Sequence, residues 1–169
     1  ALQIDKEASA YGLARVIQTV SITKDFEGTD ISHLDELDGH FIPVITEDGH
    51  DVASAAVMLD GMTVASKKGI VVSCHCEDNE LAKKARPFRV KALDLMEKYH
   101  LPAWGGSFDD MDEIPDEVFD EIDSYLTRAN DILALAEDTA TARNIAIARL
   151  ADCHVHLAHV STANAIECI

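Results

Sequence analysis

Basic side chains are scarce in this sequence. Lys and Arg number 14 against 31 Asp and Glu, which gives a formal net charge of −17. Nucleic acid and anionic membranes are polyanions, so this balance argues against either as the main partner. Long apolar runs are also missing: nothing approaches the roughly 18 consecutive apolar residues of a bilayer-spanning helix. None of the four cysteines, Cys74, Cys76, Cys153 and Cys168, belongs to a C-x-x-C pair. The usual signature of a zinc knuckle or thioredoxin-type site is therefore absent. The first residues, Ala1-Leu2-Gln3-Ile4-Asp5, hold neither an initiator Met nor a basic segment, so they do not read as a signal peptide. Reduced thiols in a cytoplasmic protein are the resulting expectation. The chain shows no internal repeat and no low-complexity segment.

What is present suits a folded domain. Hydrophobic residues make up 47% of the 169 positions, enough apolar surface for one core of ordinary size. Apolar spacing predicts a helix from about Asp5 to Val20. A strand follows over Phe41–Ile45 and a helix over Asp51–Lys67, closed by Gly69. Ile70–Ser73 reads as a buried strand, and a long helical stretch runs from Asn79 to Tyr99, in which Pro87 should force a break or kink. Helical spacing returns from Val118 to Leu150. A third strand over Val155–Val160 and a last helix from Ser161-Thr162 complete the chain. Apolar strands separated by helices imply parallel βαβ units, hence an α/β fold. Between Leu101 and Ser124, nine acidic residues crowd together with no Lys or Arg among them. We read 101–124 as an acidic loop and helix inserted in a single domain spanning 1–169. Its spacing does not match an EF-hand loop.

Three predicted strands end in side chains able to bind metal. Asp48 follows the first, His75 the second and His159 the third. In parallel α/β folds the C-terminal strand ends carry the active site, and this nitrogen and oxygen donor set suits a divalent ion, with zinc first among candidates.

The residues around these ends resemble a known family. Cys74-His75-Cys76-Glu77-Asp78 contains the "H-C-E-D" strand end of dihydroorotases, and His156-Leu157-Ala158-His159-Val160-Ser161-Thr162 is similar to their "H-x-x-H-V-S-T". Thr46-Glu47-Asp48-Gly49 resembles their "D-D-G" turn, with Glu47 in place of the first acid. Ser21-Ile22-Thr23-Lys24 with Gly28 resembles the segment before that turn. Glu137-Asp138 with Arg143 is similar to the family's "A-E-x-x-x-x-x-R" helix. The resemblance implies part of a (β/α)8 TIM barrel of the metal-dependent hydrolase type, about strands 3 to 6 with their helices. It implies zinc, one or two ions in the complete enzyme, and reversible cyclisation of N-carbamoyl-L-aspartate to L-dihydroorotate in pyrimidine biosynthesis. His75 and His159 are then metal ligands, and Asp48 is the metal-bridging and catalytic group.

Other residues receive lesser roles on this reading. His154 and His156 share a strand face and are expected to pack or to support the ligands from behind. Glu77 and Asp78 are expected to cap the next helix, and His33, His40, His50 and His100 to be solvated. Substrate-binding residues are not assigned. A barrel needs at least about 200 residues, and the family's first-strand H-x-H-x-R and last-strand Asp are missing from this chain. The expectation is an internal piece of the enzyme, inactive and oligomeric by itself, its substrate a small molecule and aspartate transcarbamoylase a candidate protein partner. Two alternatives stay open. One is another cyclic amidohydrolase (dihydropyrimidinase, hydantoinase or allantoinase), where a carboxylated lysine is expected in place of Asp48. The other is a non-catalytic dihydroorotase-like scaffold of aspartate transcarbamoylase.

Overall fold

The computed structural model describes residues 2–101 and 114–169. Residues 102–113, half of the acidic segment expected at 101–124, lie outside the described residues. Five helices and three strands are described: α1 (Leu2–Tyr11), β1 (Val44–Thr46), α2 (Ala55–Lys68), β2 (Val71–Cys74), α3 (Asn79–Lys98), α4 (Asp116–Ala151), β3 (Val155–Leu157) and α5 (Ala163–Cys168). Two compact units divide them, one of residues 1–78 with 137–169 and one of 79–136.

The first unit holds a parallel sheet in the order β1-β2-β3, as the alternation of strands and helices predicts. Val20 adds a parallel bridge to Ile45 on the outer side of β1, through the Thr46 N–H donating to the Val20 carbonyl at 3.0 Å. Alternation puts Ile45, Val72 and Cys74 on one face, all buried. Helix α2 covers that face because Met58, Gly61, Met62 and Ala65 recur at helical spacing and are all buried. Ile22, Leu34, Ile42, Val52, Ile70 and Ala148 complete the core. The opposite face carries Val44, Thr46, Val71, Ser73, His154 and His156, none of them fully buried.

Local signals explain the ends of α2. Ser54 accepts a hydrogen bond from the Val57 N–H, and Gly69 closes the helix at φ 67°, beside Lys67 and Lys68, as caps and dipole favour. Lys68 also reaches back, its Nζ donating to the carbonyls of Asp35 and Leu37 at 2.8 and 2.9 Å. Gly39 lies so close that a Cβ there would sit 2.4 Å from the Lys68 carbonyl oxygen.

The second unit contains α3 and α4 up to Ala136. Ala85 and Ala92 on α3 are fully buried, as are Ala129 and Ala136 on α4; each pair is two turns apart and shares a helix face. Lys91 Nζ lies 5.2 Å from the centre of the Tyr125 ring, a cation–π contact between the two helices.

Three boundaries differ from the sequence reading. Helix α1 stops at Tyr11 rather than Val20, because Gly12 takes a left-handed φ of 62° and ends it; Leu13 beyond it is 89% exposed. Helix α3 is not broken at Pro87 and runs through it as one element, since a proline removes a single backbone donor. Strand β3 ends at Leu157 rather than Val160, because the ladder closes with the Ala158 N–H on the Cys74 carbonyl and His159 turns left-handed.

The packing sets two expected outcomes. Met62→Ala should cost about 2–5 kcal/mol by opening a cavity in the core. Gly39→Ala should cost about 1–3 kcal/mol by forcing the Lys68 backbone aside. Urea unfolding checks both, with lower midpoints at an unchanged m-value.

Candidate metal centre

Parallel pairing aligns Thr46, Ser73 and His156 across the sheet, and the Thr46 hydroxyl donates to the Ser73 carbonyl at 2.9 Å. Two residues further along the first two strands, the same face carries Asp48 and His75. His159 joins them from the end of β3. Asp48 Oδ1 is 3.9 Å from His75 Nδ1 and 4.0 Å from His159 Nε2. The two imidazoles meet edge to face with centroids 5.1 Å apart. One donor atom from each of the three residues lies within 4.8 Å of the others.

The surroundings of each donor differ. The His75 side chain is 20% exposed, that of Asp48 77% and that of His159 66%. His75 Nδ1 is buried without a hydrogen-bond partner. A buried nitrogen without a partner, facing a carboxylate and a second imidazole, fits a cation bound by all three. No cysteine joins the cluster. Burial pushes the thiols of Cys74, Cys76 and Cys153 upward, so they stay protonated and are poor ligands at neutral pH.

Three buried or half-buried carboxylates fasten the loops that carry these donors. Glu47, next to Asp48, points to the helix-covered face and is 3% exposed. It accepts from the Thr23 N–H at 2.9 Å and from the Thr23 hydroxyl, while the Gly28 N–H donates to that hydroxyl at 3.0 Å. The turn then closes through Gly49 at φ 80° and the His50 N–H on the Glu47 carbonyl. Asp51 accepts at one oxygen from Arg143 Nη2 at 2.8 Å and from Asn144 Nδ2 at 2.9 Å. Burial pushes the Asp51 carboxyl up, and the Arg143 charge and the Asn144 and Val52 hydrogen bonds oppose that rise. Glu137 accepts from the Ser161 and Thr162 N–H groups and from the Ser161 hydroxyl.

Asp48, His75 and His159, named from the sequence, thus stand together. His154 and His156 are exposed on the uncovered face and have no part in the cluster. Glu77 is half-buried, and Asp78 directly precedes α3. His33 is half-buried rather than solvated, and its Nε2 lies 2.9 Å from the Ser21 carbonyl. Sequence reasoning attached no role to Asp51 or Asn144, and named Ser161 only as part of the H-V-S-T motif. The available signal for the first two was the neighbouring Glu137…Arg143 pattern, which had no role attached.

Known proteins offer a comparison. A family model described as dihydro-orotase-like matches residues 4–101. A dihydroorotase of Clostridium botulinum is 26% identical over 93% of this chain, and one of Bacillus thuringiensis is 32% identical over 94% of it. The chain spans 28% of the length of each of these relatives. A dihydropyrimidinase from Brevibacillus agri superposes on 83% of this chain and 26% of its own with a TM-score of 0.49 and 19% identity.

Removing Arg143 would leave the Asp51 carboxylate buried without its cation. Arg143→Ala should therefore destabilise the protein by about 3 kcal/mol at neutral pH. An acid whose folded pKa is raised favours the folded state below its unfolded pKa and loses that contribution as pH rises through the folded value. The deficit of Arg143→Ala should thus shrink at about pH 5 and grow toward about pH 7.5. Urea midpoints of the variant and the unaltered protein across that range check the sign.

Proposed function

This chain belongs to the dihydro-orotase-like family, and on that premise we propose that Asp48, His75 and His159 hold zinc in a cyclic amidohydrolase. The reaction we assign to the complete protein is reversible cyclisation of N-carbamoyl-L-aspartate to L-dihydroorotate. The observation that carries this assignment is the convergence of one carboxylate and two imidazoles at the C-terminal ends of adjacent parallel strands, with His75 Nδ1 buried and unpartnered. Zinc held there supplies Lewis acidity, which polarises an amide carbonyl and acidifies water.

The residues have separable tasks in this proposal. His75, mostly shielded, presents a nitrogen that no hydrogen bond occupies. Asp48 faces both imidazoles and contributes the carboxylate of the trio. Asp48 and His159 are the more exposed donors. Glu47, Asp51 and Glu137 fasten the segments next to Asp48 and His159.

The same proposal places the chain in a (β/α)8 barrel, as one partial domain with 101–124 inserted. One feature supports it. The strands neighbour one another in chain order. A doubly wound sheet reverses its strand order, whereas a barrel winds in one sense with helices outside. Asp48 also favours dihydroorotase over relatives that require a lysine at that place, and the retention of all three donors disfavours a scaffold that lost its metal.

Zinc content and carbamoyl-aspartate cyclisation, measured on the full-length protein, test this. His75→Ala and His159→Ala should each reduce both by orders of magnitude, and His154→Ala should leave zinc content unchanged. A full-length protein that binds no zinc would overturn the assignment.

A further inference from the structure

His159 reaches the cluster against the parity of its strand. Thr46, Ser73 and His156 share the uncovered face. Alternation from these positions leads to Asp48 and His75, but on β3 it leads to Ala158. His159, one residue later, would point to the helix-covered face if the chain stayed extended. It has a φ of 64° instead, a left-handed conformation uncommon for residues with a Cβ, histidine being among those that adopt it more readily. That turn brings His159 Nε2 to 4.0 Å from Asp48 Oδ1.

Fastening contacts lie two and three residues beyond. Both the Ser161 and Thr162 N–H groups donate to Glu137 Oε1, at 2.6 and 2.7 Å, and the Ser161 hydroxyl donates to Oε2 at 2.6 Å. Asp138, the next residue on α4, accepts from the Thr162 hydroxyl and from Asn164 Nδ2. Thr162 in turn caps α5 by accepting from the Ala165 N–H. The chain leaving β3 is therefore tied to α4 just past His159, which leaves the extended path little room.

We propose that Glu137 is a positioning residue for His159: its grip on Ser161 and Thr162 holds the left-handed turn that brings the imidazole into the donor cluster. This rests on the assignment of Asp48, His75 and His159 to a metal. Groups that touch no metal but orient its ligands typically alter affinity by about ten- to hundredfold. The grip depends on acceptor geometry more than on charge. A glutamine keeps an oxygen for the two N–H groups, and its amide can donate to the Ser161 hydroxyl oxygen.

Zinc affinity of the full-length protein, measured by chelator competition, is the test, with the visible spectrum of the cobalt-loaded protein as a report on ligand geometry. Circular dichroism checks that each variant is folded. Glu137→Ala should weaken zinc binding by about ten- to hundredfold and alter the cobalt bands, while Glu137→Gln should stay within about threefold of the unaltered protein. If Glu137→Ala does not fold, Glu137→Asp, which withdraws the acceptor by one methylene, takes its place in the comparison. Zinc binding lost in His159→Ala but retained in Glu137→Ala would overturn the proposal and leave the metal assignment standing. Equal loss in Glu137→Gln and Glu137→Ala with unchanged cobalt bands would overturn it as well, since charge and not geometry would then be at work. If His159→Ala binds zinc as the unaltered protein does, the metal assignment itself fails.

Discussion

Neighbouring strands of a parallel sheet lie about 4.8 Å apart and point the same way, so their C-terminal ends form a single edge. Almost everything distinctive about this chain depends on that constraint. The register that pairs Thr46 with Ser73 and Ser73 with His156 decides which side chains stand beside one another at the edge. A slip of one residue in β1 or β2 would move Asp48 or His75 to the helix-covered face. Burial of Ile45, Val72 and Cys74 on that face holds the register, so core packing and site geometry are one requirement.

The acidic composition takes on a different meaning inside the first unit. A formal charge of −17 suggests acids spread over a solvated surface. Yet Glu47 and Asp51 are buried, and the half-buried Glu137 is the acceptor of three hydrogen bonds. Each ties a strand-end loop to another segment: Glu47 to Thr23, Asp51 to Arg143 and Asn144, Glu137 to Ser161 and Thr162. Buried carboxylates are costly unless paired, and every one of these has donors within hydrogen-bond distance. For Glu137 the hydrogen bonds outweigh burial, and its carboxyl lies below the usual carboxylate range. Fixed anchors at loop ends are what a constellation of exposed donors needs, because Asp48 and His159 have little packing of their own.

The sequence made some of this legible and hid the rest for identifiable reasons. Asp48 and His75 could be read because each follows a short apolar run of strand length, and His159 because it follows a third, alternating strand. The parity of His159 could not, since alternation places it on the wrong face and the left-handed turn depends on contacts with residues 24 or more positions away. Gly12 is a visible helix stop that the apolar stripe of Leu13, Val16 and Ile17 concealed. Glu47 reads as a substitute in an acidic turn, while its role depends on Thr23, distant in sequence. Arg143 was visible as part of a pattern, but its partner Asp51 looks in sequence like the start of a helix.

The donor set itself argues for more than cohesion. Structural zinc sites are commonly rich in thiolate, whereas the cluster among the described residues offers one carboxylate and two imidazoles and no cysteine. The core beneath the sheet, with its methionines and branched aliphatics, already supplies cohesion without it. The cluster instead sits on the polar strand-end edge, where His159 arrives through a left-handed turn and buried carboxylates fasten the neighbouring segments. Parallel sheets place their ligand sites at that edge, so the side chains that packing does not use stand where something other than the chain would bind.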